Sequence, residues 1–231
     1  MPLLTDRVLF IDAEALIIDK PAGLPVDTPR DGAMSLENHL ASLTFGFQRW
    51  PTPVHRLDRD TSGCLLLARN PKAHKRFSTA FEQGTVQKRY LAVLEGVPDE
   101  TAGTIELPLG KTSSARDGWR MVPDAKGGKA AVTEWTLVAN HAGRALISFQ
   151  PKTGRTHQIR AHALYGIGLG IVGDPVYRAT DAGGSATAML LHSRFLSVPR
   201  DGKAPAEATA PLPDGFAAAG FSAAMITDAG L

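Results

Sequence analysis

The feature that most limits the fold of this chain is a pair of strand-like segments separated by only three residues. Residues 130–140 (AAVTEWTLVAN) and 144–151 (RALISFQP) are both rich in β-branched and other apolar side chains. The connection His141–Gly143 is far too short for a parallel crossover, so the two segments are predicted to pair as antiparallel strands.

Other elements are distributed along the rest of the chain. Two short strands are predicted around Asp12–Ala15, and further strands over residues 65–70 and 88–96. Helices are predicted at Ser35–Leu43, after the cap-like pair Asn70-Pro71, and at Thr156–Tyr165. Residues 97–128, rich in Gly, Pro, Ser and Lys, are predicted as a long excursion or mobile loop, and no elements are predicted beyond Lys203. Antiparallel strand pairs with intervening helices indicate an α+β fold.

The length of 231 residues fits one domain with a substantial core, and the 43% apolar and 21% charged content is ordinary for a soluble globular protein. No stretch approaches the run of about 18 apolar residues that spans a membrane, and residues 1–10 lack the pattern of a secretory signal. A single cysteine excludes an internal disulfide and a cysteine-based zinc cage. We therefore expect a cytoplasmic protein without a metal ion.

The net charge of +2 does not indicate a nucleic-acid partner, but the charge is unevenly distributed. Residues 55–90 contain eight basic and three acidic side chains, and residues 152–173 contain three basic and no acidic ones. By contrast, residues 1–37 have three bases against seven acids, and residues 201–231 have one base against four. A basic middle between acidic ends fits a protein that presents one positive face to phosphates. The alternative is that these basic residues only solvate helices.

The segment PVHRLDRDTSG, residues 53–63, places a carboxylate between two arginines just before a tight turn. Positive charge on both sides of Asp58 favours its ionised form, which suits a nucleophile or a base rather than an acid. Gly63 allows the backbone to turn sharply and to come close to a ligand. Taken alone, the pattern also describes a surface Asp–Arg pair beside a turn.

HRLDRDTSG, residues 55–63, resembles the signature of the RluA family of RNA pseudouridine synthases, in which His-Arg-Leu-Asp is followed by two variable residues and Thr-Ser-Gly. The resemblance implies that Asp58 is the catalytic aspartate and that Arg56 enters the RNA where the target base has left. It also implies the pseudouridine synthase fold, an α+β fold whose mixed, mostly antiparallel central sheet is flanked by helices and loops. We expect a single catalytic domain over residues 1–231, with its core at about 8–200 and without a separate N-terminal RNA-binding domain.

Two later segments also resemble motifs of this family. KRY, residues 88–90, matches a motif whose tyrosine, here Tyr90, stacks on the flipped uracil and can help to move a proton. Such stacking helps to offset the cost of unstacking a base. TGRTHQIRAH, residues 153–162, matches a motif whose arginine, here Arg160, pairs with the catalytic aspartate. If a helix begins near Thr156, the unpaired amides of its first turn are available to anions.

The remaining site residues follow from the same resemblance. RNA contacts are expected from Arg56, Arg59, Lys88, Arg89, Arg155, His157 and Gln158. Leu190 and Leu191 match a late apolar stretch that walls the uracil pocket. DKPAGL, residues 19–24, matches an early segment that is interpreted as structural. IVGD, residues 171–174, matches a loop that is one residue longer here, with Gly170 in place of the usual proline.

Three other patterns are excluded as functional sites. His157 and His162 lack a third ligand at metal spacing, which excludes zinc. GLGIVG, residues 168–173, has the letters of a dinucleotide-binding motif but follows a predicted helix and lacks the acidic residue expected about 20 positions later. Cys64 begins an apolar strand and is expected to pack in the core rather than act as a nucleophile.

The resemblance implies isomerisation of specific uridines in ribosomal or transfer RNA to pseudouridine. The bond from uracil to ribose breaks, the base rotates and it rejoins through carbon, so neither a cofactor nor a metal is expected. Asp58 would act on a flipped-out uridine by attacking the sugar or by removing a sugar proton. RNA is the expected partner, with no membrane, no obligate protein partner and a monomeric state.

Two alternatives remain open at the level of the sequence. One is a catalytically inactive RNA-binding protein or RNA chaperone on the same fold. Asp58, Tyr90 and Arg160 together count against it, because binding alone does not need a carboxylate in a pocket. The other is a glycoside or nucleoside hydrolase, which usually needs a pair of carboxylates.

Overall fold

A computed structural model describes residues 3–114, 118–178 and 188–228. The chain divides into two compact units. The first contains the residues up to Lys88 together with His192–Pro211, and the second contains Arg89–Leu191 together with the residues from Leu212 onward. Over the described residues, no helix combines the length and the apolar character needed to cross a membrane. Folding of the whole chain as a single domain stays a prediction.

Short strands and a few helices make up the described residues, in agreement with the predicted α+β class. The strands are β1 (Val8–Ile11), β2 (Ala15–Lys20), β3 (Thr52–Pro53), β4 (Ser62–Ala68), β5 (Gln87–Leu94), β6 (Ala102–Glu106), β7 (Leu109–Ser114), β8 (Gly118–Pro123), β9 (Val132–His141), β10 (Arg144–Pro151), β11 (Leu191–Arg200) and β12 (Lys203–Thr209). The helices are 3₁₀ segments at Leu4–Arg7 and Leu36–Leu43, α1 (Pro71–Glu82), α2 (Gln158–His162), a π turn at Ala163–Ile167, α3 (Asp214–Ala218) and α4 (Ala223–Asp228).

A mixed, mostly antiparallel sheet lies at the centre of the first unit. Its strand order is β1-β2-β4-β11-β12, and β3 pairs with the second half of β4. The pair β4–β11 is parallel, with His192 opposite Ser62, and the other pairs are antiparallel. This arrangement confirms the predicted sheet type.

Strand β4 passes through the core of the first unit, and all seven of its residues are buried. Cys64 and Leu66 pack in one cluster with Ile17 and with Phe77 of α1. Burial raises the pKa of the Cys64 thiol to about 12, so the thiolate form is suppressed at neutral pH. Cys64 is therefore a packing residue, as the sequence predicts.

Helix α1 begins where the sequence predicts it. Asn70 is the N-cap, and its side-chain oxygen accepts a hydrogen bond from the Ala73 N–H at 2.9 Å. Pro71 occupies the first helical position, where a missing N–H costs nothing. The helix ends just before Gly84, whose φ of 70° is left-handed.

Four antiparallel strands form the sheet of the second unit, in the order β5-β10-β9-β6. The predicted hairpin is confirmed, since β9 and β10 pair with Arg144 opposite His141. Ile147 and Phe149 of β10 lie in one core cluster, whereas Leu146 lies in another. Alternate residues of a strand face opposite sides of the sheet, so both faces of this sheet are covered.

Residues 97–128, predicted as a long excursion or mobile loop, contain three strands, so the mobile loop was wrong over these strands. β6 pairs with β9, and β7 and β8 form an antiparallel hairpin, between which residues 115–117 lie outside the described residues. Along β7, Leu109 is buried and the next residues are mostly exposed. Because this Thr- and Ser-rich hairpin has no apolar alternation, local pattern does not predict it.

The helix predicted at Thr156–Tyr165 is shorter and begins later. His157 has a φ of 51°, which is left-handed, so α2 begins only at Gln158. After five residues the chain continues as the π turn, which ends at Gly168 with a φ of 86°. The expected anion-binding first turn at Thr156 is therefore absent from this described segment.

The end of the chain, which the sequence left unassigned, covers one face of the second unit. Three large apolar side chains are fully or almost fully buried, namely Phe216 of α3, Ile226 of α4 and Phe221 between these two helices. They pack in one cluster with Leu91 and Val93 of β5. Burial of these large apolar side chains accounts for the order of an otherwise Ala- and Pro-rich segment.

Candidate active site

Asp58 lies on the loop that connects β3 to β4. Its carbonyl oxygen accepts a hydrogen bond from the Thr61 N–H at 3.1 Å, which closes a tight turn. The preceding residue, Leu57, is 6% exposed and anchors the loop in the first unit, whereas Asp58 is half-buried. The backbone of the loop is therefore held in place, while part of Asp58 is accessible to solvent.

The two arginines beside Asp58 are directed to other carboxylates. Arg56 pairs with Asp27 at 2.9 Å, and Arg59 pairs with Asp60 at 3.2 Å. Their side chains are 70% and 66% exposed, and exposed pairs of this kind contribute only about 0–1 kcal/mol. Both guanidinium groups can therefore exchange these carboxylates for phosphates at little cost.

Lys20 is fully buried beneath this loop, although the sequence assigns its segment only a structural role. Its ammonium donates hydrogen bonds to three carbonyl oxygens, those of Pro21 at 2.9 Å, Leu24 at 2.8 Å and Arg59 at 3.0 Å. Burial lowers the pKa of Lys20 to about 7. The nearby carboxylates of Asp60, Asp58 and Asp19 act in the opposite direction, because negative charge favours the protonated ammonium. The Gly23 N–H also donates to the Arg59 oxygen at 2.9 Å. The early KPAG segment thus holds the residue that follows Asp58.

His55 of the HRLD motif has an internal role. Its Nε2 accepts a hydrogen bond from the Leu66 N–H at 3.1 Å, and its ring stacks on Phe81 at 4.6 Å between centroids. Burial lowers the pKa of His55 to about 3, so the ring is neutral at physiological pH. This histidine fixes the start of the loop to β4 rather than exchanging protons with a substrate.

Gly63 allows β4 and β11 to approach closely. Its φ is 105°, and a Cβ placed there would lie within 2.8 Å of the backbone carbon and nitrogen of Ser193. Real side chains do not occupy such positions. The glycine of the motif is therefore required by packing.

Gly63→Ala is expected to destabilise the protein by about 3 kcal/mol or more, because a left-handed φ is combined with a backbone collision. Gly202→Ala is the matched control, since Gly202 has a φ of 67° but nothing lies within 4 Å of its Cβ position. That variant should lose only about 1 kcal/mol. Urea unfolding measures both, and equal losses would contradict the close approach at Gly63.

His192 is fully buried beside the motif and shares a hydrogen bond of 2.9 Å between its Nδ1 and the Ser62 hydroxyl. Burial lowers the pKa of His192 to about 4. The unfolded chain, in which histidine titrates near pH 6.5, therefore takes up the proton first. Acidification favours the unfolded state through this group.

Stability is expected to fall by about 3 kcal/mol between pH 6.5 and 4 through His192 alone. Urea unfolding at a series of pH values measures the slope. His192→Asn cannot take up the proton and should reduce the slope, leaving the contribution of His55, whose pKa burial lowers to about 3, whereas the exposed control His141→Asn should leave the slope unchanged. Identical slopes for the wild type and His192→Asn would show that another group is responsible.

Arg160 forms a buried, bidentate ion pair in the second unit. Its Nε donates to Asp174 Oδ2 at 2.7 Å, and its Nη2 donates to Asp174 Oδ1 at 2.9 Å. Asp174 Oδ1 also accepts from the N–H groups of Val176 and Tyr177 at 2.8 and 2.9 Å. The two side chains are 6% and 0% exposed. The sequence did not identify Asp174 as a site residue, and the pairing of Arg160 with Asp58 stays a prediction.

His157 lies between two aromatic side chains. Its ring stacks on Trp119 of β8 at 4.7 Å, and its Nδ1 shares a hydrogen bond of 3.0 Å with the Tyr177 hydroxyl. That hydroxyl accepts from the Met121 N–H at 2.8 Å, and the Arg160 guanidinium lies 5.0 Å from the Tyr177 ring centroid. Tyr177 therefore connects the β7–β8 hairpin to Arg160.

Gln158, which is expected to bind RNA, is 4% exposed and engaged inside the protein. Its amide oxygen accepts from the Thr153 hydroxyl at 2.7 Å and from the Arg155 N–H at 2.9 Å. Its amide nitrogen donates to Val132 O and Thr133 Oγ1 at 3.0 and 2.9 Å. These contacts match the bonding capacity of an amide, so Gln158 positions the loop before α2. Arg155 itself is exposed.

Tyr90 lies half-buried on β5, opposite Phe149 of β10. It packs against the core cluster that contains Met189 and Leu191. Leu190 is directed to the opposite cluster, with Phe216, because adjacent residues of an extended chain face opposite sides. Of the two predicted pocket residues, Leu191 shares a cluster with Tyr90 and Leu190 does not.

Lys88 and Arg89 lie half-buried at the start of β5. Burial lowers the pKa of Lys88, whose ammonium lies 6.0 Å from the Phe81 ring centroid. Neither side chain is fully exposed, although both are expected from the sequence to contact RNA. Their predicted contacts with RNA stay predictions.

The described residues offer no grouping for a metal ion. No three His, Cys, Asp or Glu side chains of residues 3–114, 118–178 and 188–228 lie together in the manner of ligands. His162, one of the two histidines considered for zinc, uses Nδ1 toward Thr133 Oγ1 at 2.9 Å and Nε2 toward Leu107 O at 3.1 Å.

Known proteins match this chain over most of its length. A family model described as RNA pseudouridylate synthase matches residues 14–165. An uncharacterised RNA pseudouridine synthase of Zymomonas mobilis is 60% identical over 221 residues, 96% of this chain and 100% of that protein. Ribosomal large subunit pseudouridine synthase D of the same organism is 34% identical over 178 residues, 74% of this chain and 55% of that protein. The solved structure of human RNA pseudouridylate synthase domain containing 4 has a TM-score of 0.76 and 26% identity, and covers 93% of this chain and 91% of that chain.

The chain belongs to the RluA family of RNA pseudouridine synthases, which confirms the resemblance in HRLDRDTSG. It is an isomerase that converts uridine in RNA to pseudouridine. The matched region includes Lys20, Asp58, Tyr90 and Arg160. Asp174 lies beyond that region.

Proposed function

We propose that this enzyme isomerises a uridine of ribosomal or transfer RNA and that the reaction depends on the carboxylate of Asp58. The supporting observation is that Asp58 lies half-buried on a loop whose next carbonyl, that of Arg59, is held by both Lys20 and Gly23. A reactive group fixed before the substrate arrives needs little further ordering. The name of the second Zymomonas relative refers to the large ribosomal subunit, which makes ribosomal RNA the first substrate to test.

The reaction begins when the target uridine leaves its stack, at a cost of a few kcal/mol. The bond between ribose and N1 of uracil then breaks with the participation of Asp58, and the base turns. C5 bonds to the same ribose carbon, the C5 hydrogen leaves as a proton, and N1 carries a proton in the product. In this proposal Tyr90 stacks on the uracil, Leu191 contributes apolar packing, and Arg160 positions the carboxylate.

RNA outside the pocket is held by exposed cations. Arg56 and Arg59 are proposed to exchange their weak carboxylate partners for phosphates, and Arg155 is proposed as a further phosphate contact. Such contacts release counterions, so affinity should fall with salt. We place the reaction in the cytoplasm, where ribosomal and transfer RNA are abundant, and expect a monomer.

Deleting the gene in its host and mapping pseudouridine across ribosomal and transfer RNA tests this proposal. One or a few sites should disappear and should return with the wild-type gene. Asp58→Asn should not restore them, whereas Asp60→Asn, the neighbouring carboxylate that pairs with Arg59, should. Restoration by Asp58→Asn would refute the proposed role of this carboxylate, and an unchanged map in the deletion strain would refute the substrate class.

A further inference from the structure

A cavity of about 380 Å³ opens in the first unit beside α1 and β3. None of its nine lining residues is acidic, and four of them, Arg49, Arg69, His74 and Lys75, are basic or can become so. A volume of several hundred Å³ is typical of small-ligand sites. The lining favours an occupant that is anionic.

Exposed aromatic rings adjoin these cations. Trp50 lines the cavity and is 60% exposed, and Phe47, three residues earlier, is 38% exposed. The guanidinium of Arg69 lies 3.7 Å from the centroid of the Phe47 ring. Solvent-exposed aromatic rings beside positive charges are typical of sites that bind single-stranded nucleic acid. In such sites the bases stack on the rings and the phosphates pair with the cations.

The loop that carries Phe47 and Trp50 is held by hydrogen bonds from the buried Arg69. Arg69 is 6% exposed, and its guanidinium donates to the carbonyl oxygens of Asp12 at 2.7 Å, Thr44 at 2.8 Å and Phe45 at 3.2 Å. Phe45 itself has a left-handed φ of 45°. Because the backbone is already ordered, little entropy is lost when a base stacks on this loop.

One side of the cavity is near the proposed catalytic loop in the sequence. Thr52 lines the cavity and begins β3, and it precedes Asp58 by six residues. A chain of that length spans at most about 22 Å. His74, which also lines the cavity, shares a hydrogen bond of 3.2 Å with Pro53 O on the same strand.

We propose that this cavity binds a single-stranded segment of the substrate RNA that flanks the target uridine, with a base stacked on Trp50 and phosphates near Arg49 and Lys75. Within residues 3–114, 118–178 and 188–228, neither Arg49 nor Lys75 forms a salt bridge, so both charges are available to an anion. A protein partner would be expected to meet some acidic complement, which this lining lacks. The inference rests on the proposed function, because it takes RNA as the substrate.

Fluorescence anisotropy of a labelled single-stranded oligouridylate tests the proposal on the full chain. Trp50→Ala should weaken binding at least about fivefold, because stacking on one aromatic ring is lost. Trp50→Phe retains a ring and should bind within about twofold of the wild type. Arg49→Glu should weaken binding and lower its salt dependence, since one phosphate contact is lost. Arg49 and Trp50, the two residues changed in these three variants, are exposed surface positions, and thermal unfolding checks that each variant is folded.

Photocrosslinking with an oligonucleotide that contains 4-thiouridine locates the contact. Crosslinks to residues 47–50 or 71–75 support the proposal. Unchanged affinity of Trp50→Ala, or crosslinks confined to other segments, would overturn it and leave the cavity to a protein contact. Neither measurement requires turnover, so an active Asp58→Asn enzyme would overturn the proposed function without affecting this result.

Discussion

Asp58→Asn is expected to lower the rate of pseudouridine formation by on the order of 10⁴-fold or more, with little change in stability or RNA affinity. The amide has nearly the volume of the carboxylate, but it carries no charge and is neither a nucleophile nor a base at neutral pH. Lys20 and Gly23 hold the adjacent backbone through Arg59 O and do not contact the altered atoms in those hydrogen bonds. The loop should therefore keep its conformation.

RNA that carries tritium at C5 of uridine measures this rate, because the C5 hydrogen must leave when C5 bonds to ribose. Asp60→Asn is the matched control, two residues away and paired with the exposed Arg59, and it should retain most of the activity. A wild-type rate for Asp58→Asn would contradict the assignment. Release of free uracil by the wild type would instead indicate the hydrolase that the sequence left open.

Asp174→Asn is expected to destabilise the protein by about 3–5 kcal/mol, because it removes the negative charge from the buried, bidentate ion pair with Arg160. The Asn oxygen can still accept from the N–H groups of Val176 and Tyr177, so the variant tests charge more than backbone hydrogen bonding. Domains have a total stability of about 5–15 kcal/mol, so a loss of this size removes much of it.

Urea unfolding measures the loss, and an exposed ion pair of the second unit provides the control. Lys152 and Glu134 pair at 2.7 Å with side chains 50% and 49% exposed, so Glu134→Gln should cost less than about 1 kcal/mol. A double variant that replaces Arg160 by Met and Asp174 by Asn should recover much of the stability, because no charge of the pair is then buried and the Asn oxygen still accepts from Val176 and Tyr177. If Arg160 positions Asp58 as proposed, this stable double variant should remain inactive. Equal losses in Asp174→Asn and Glu134→Gln would show that the buried pair is not a major contribution.

Elements with local signals were predictable. The Asn70-Pro71 cap defines the start of α1, and the three-residue connection between β9 and β10 requires an antiparallel pair. The β7–β8 hairpin and the late start of α2 at Gln158 were not predictable, because neither has a local pattern. The hairpin backbone is held at Met121 by Tyr177, which is 56 residues away in the sequence.

The same distinction applies within the site. The motif identified Asp58 and Arg160, but not the residues that hold them. The Lys20 ammonium reaches Arg59 O across 39 residues, and Arg160 reaches Asp174 across 14. Gln158 was predicted from the sequence to contact RNA, whereas its amide oxygen and nitrogen form hydrogen bonds inside the protein.

By itself, the sequence determined the family, the class of reaction and the carboxylate on which we propose that it depends, because these are carried by short runs of consecutive residues. Tertiary structure alone decided which charges are buried and paired, which of Leu190 and Leu191 shares a core cluster with Tyr90, and where cations and aromatic rings surround a cavity. The reason is physical: burial and the pairing of polar groups depend on residues that are distant in sequence and are brought together only by packing.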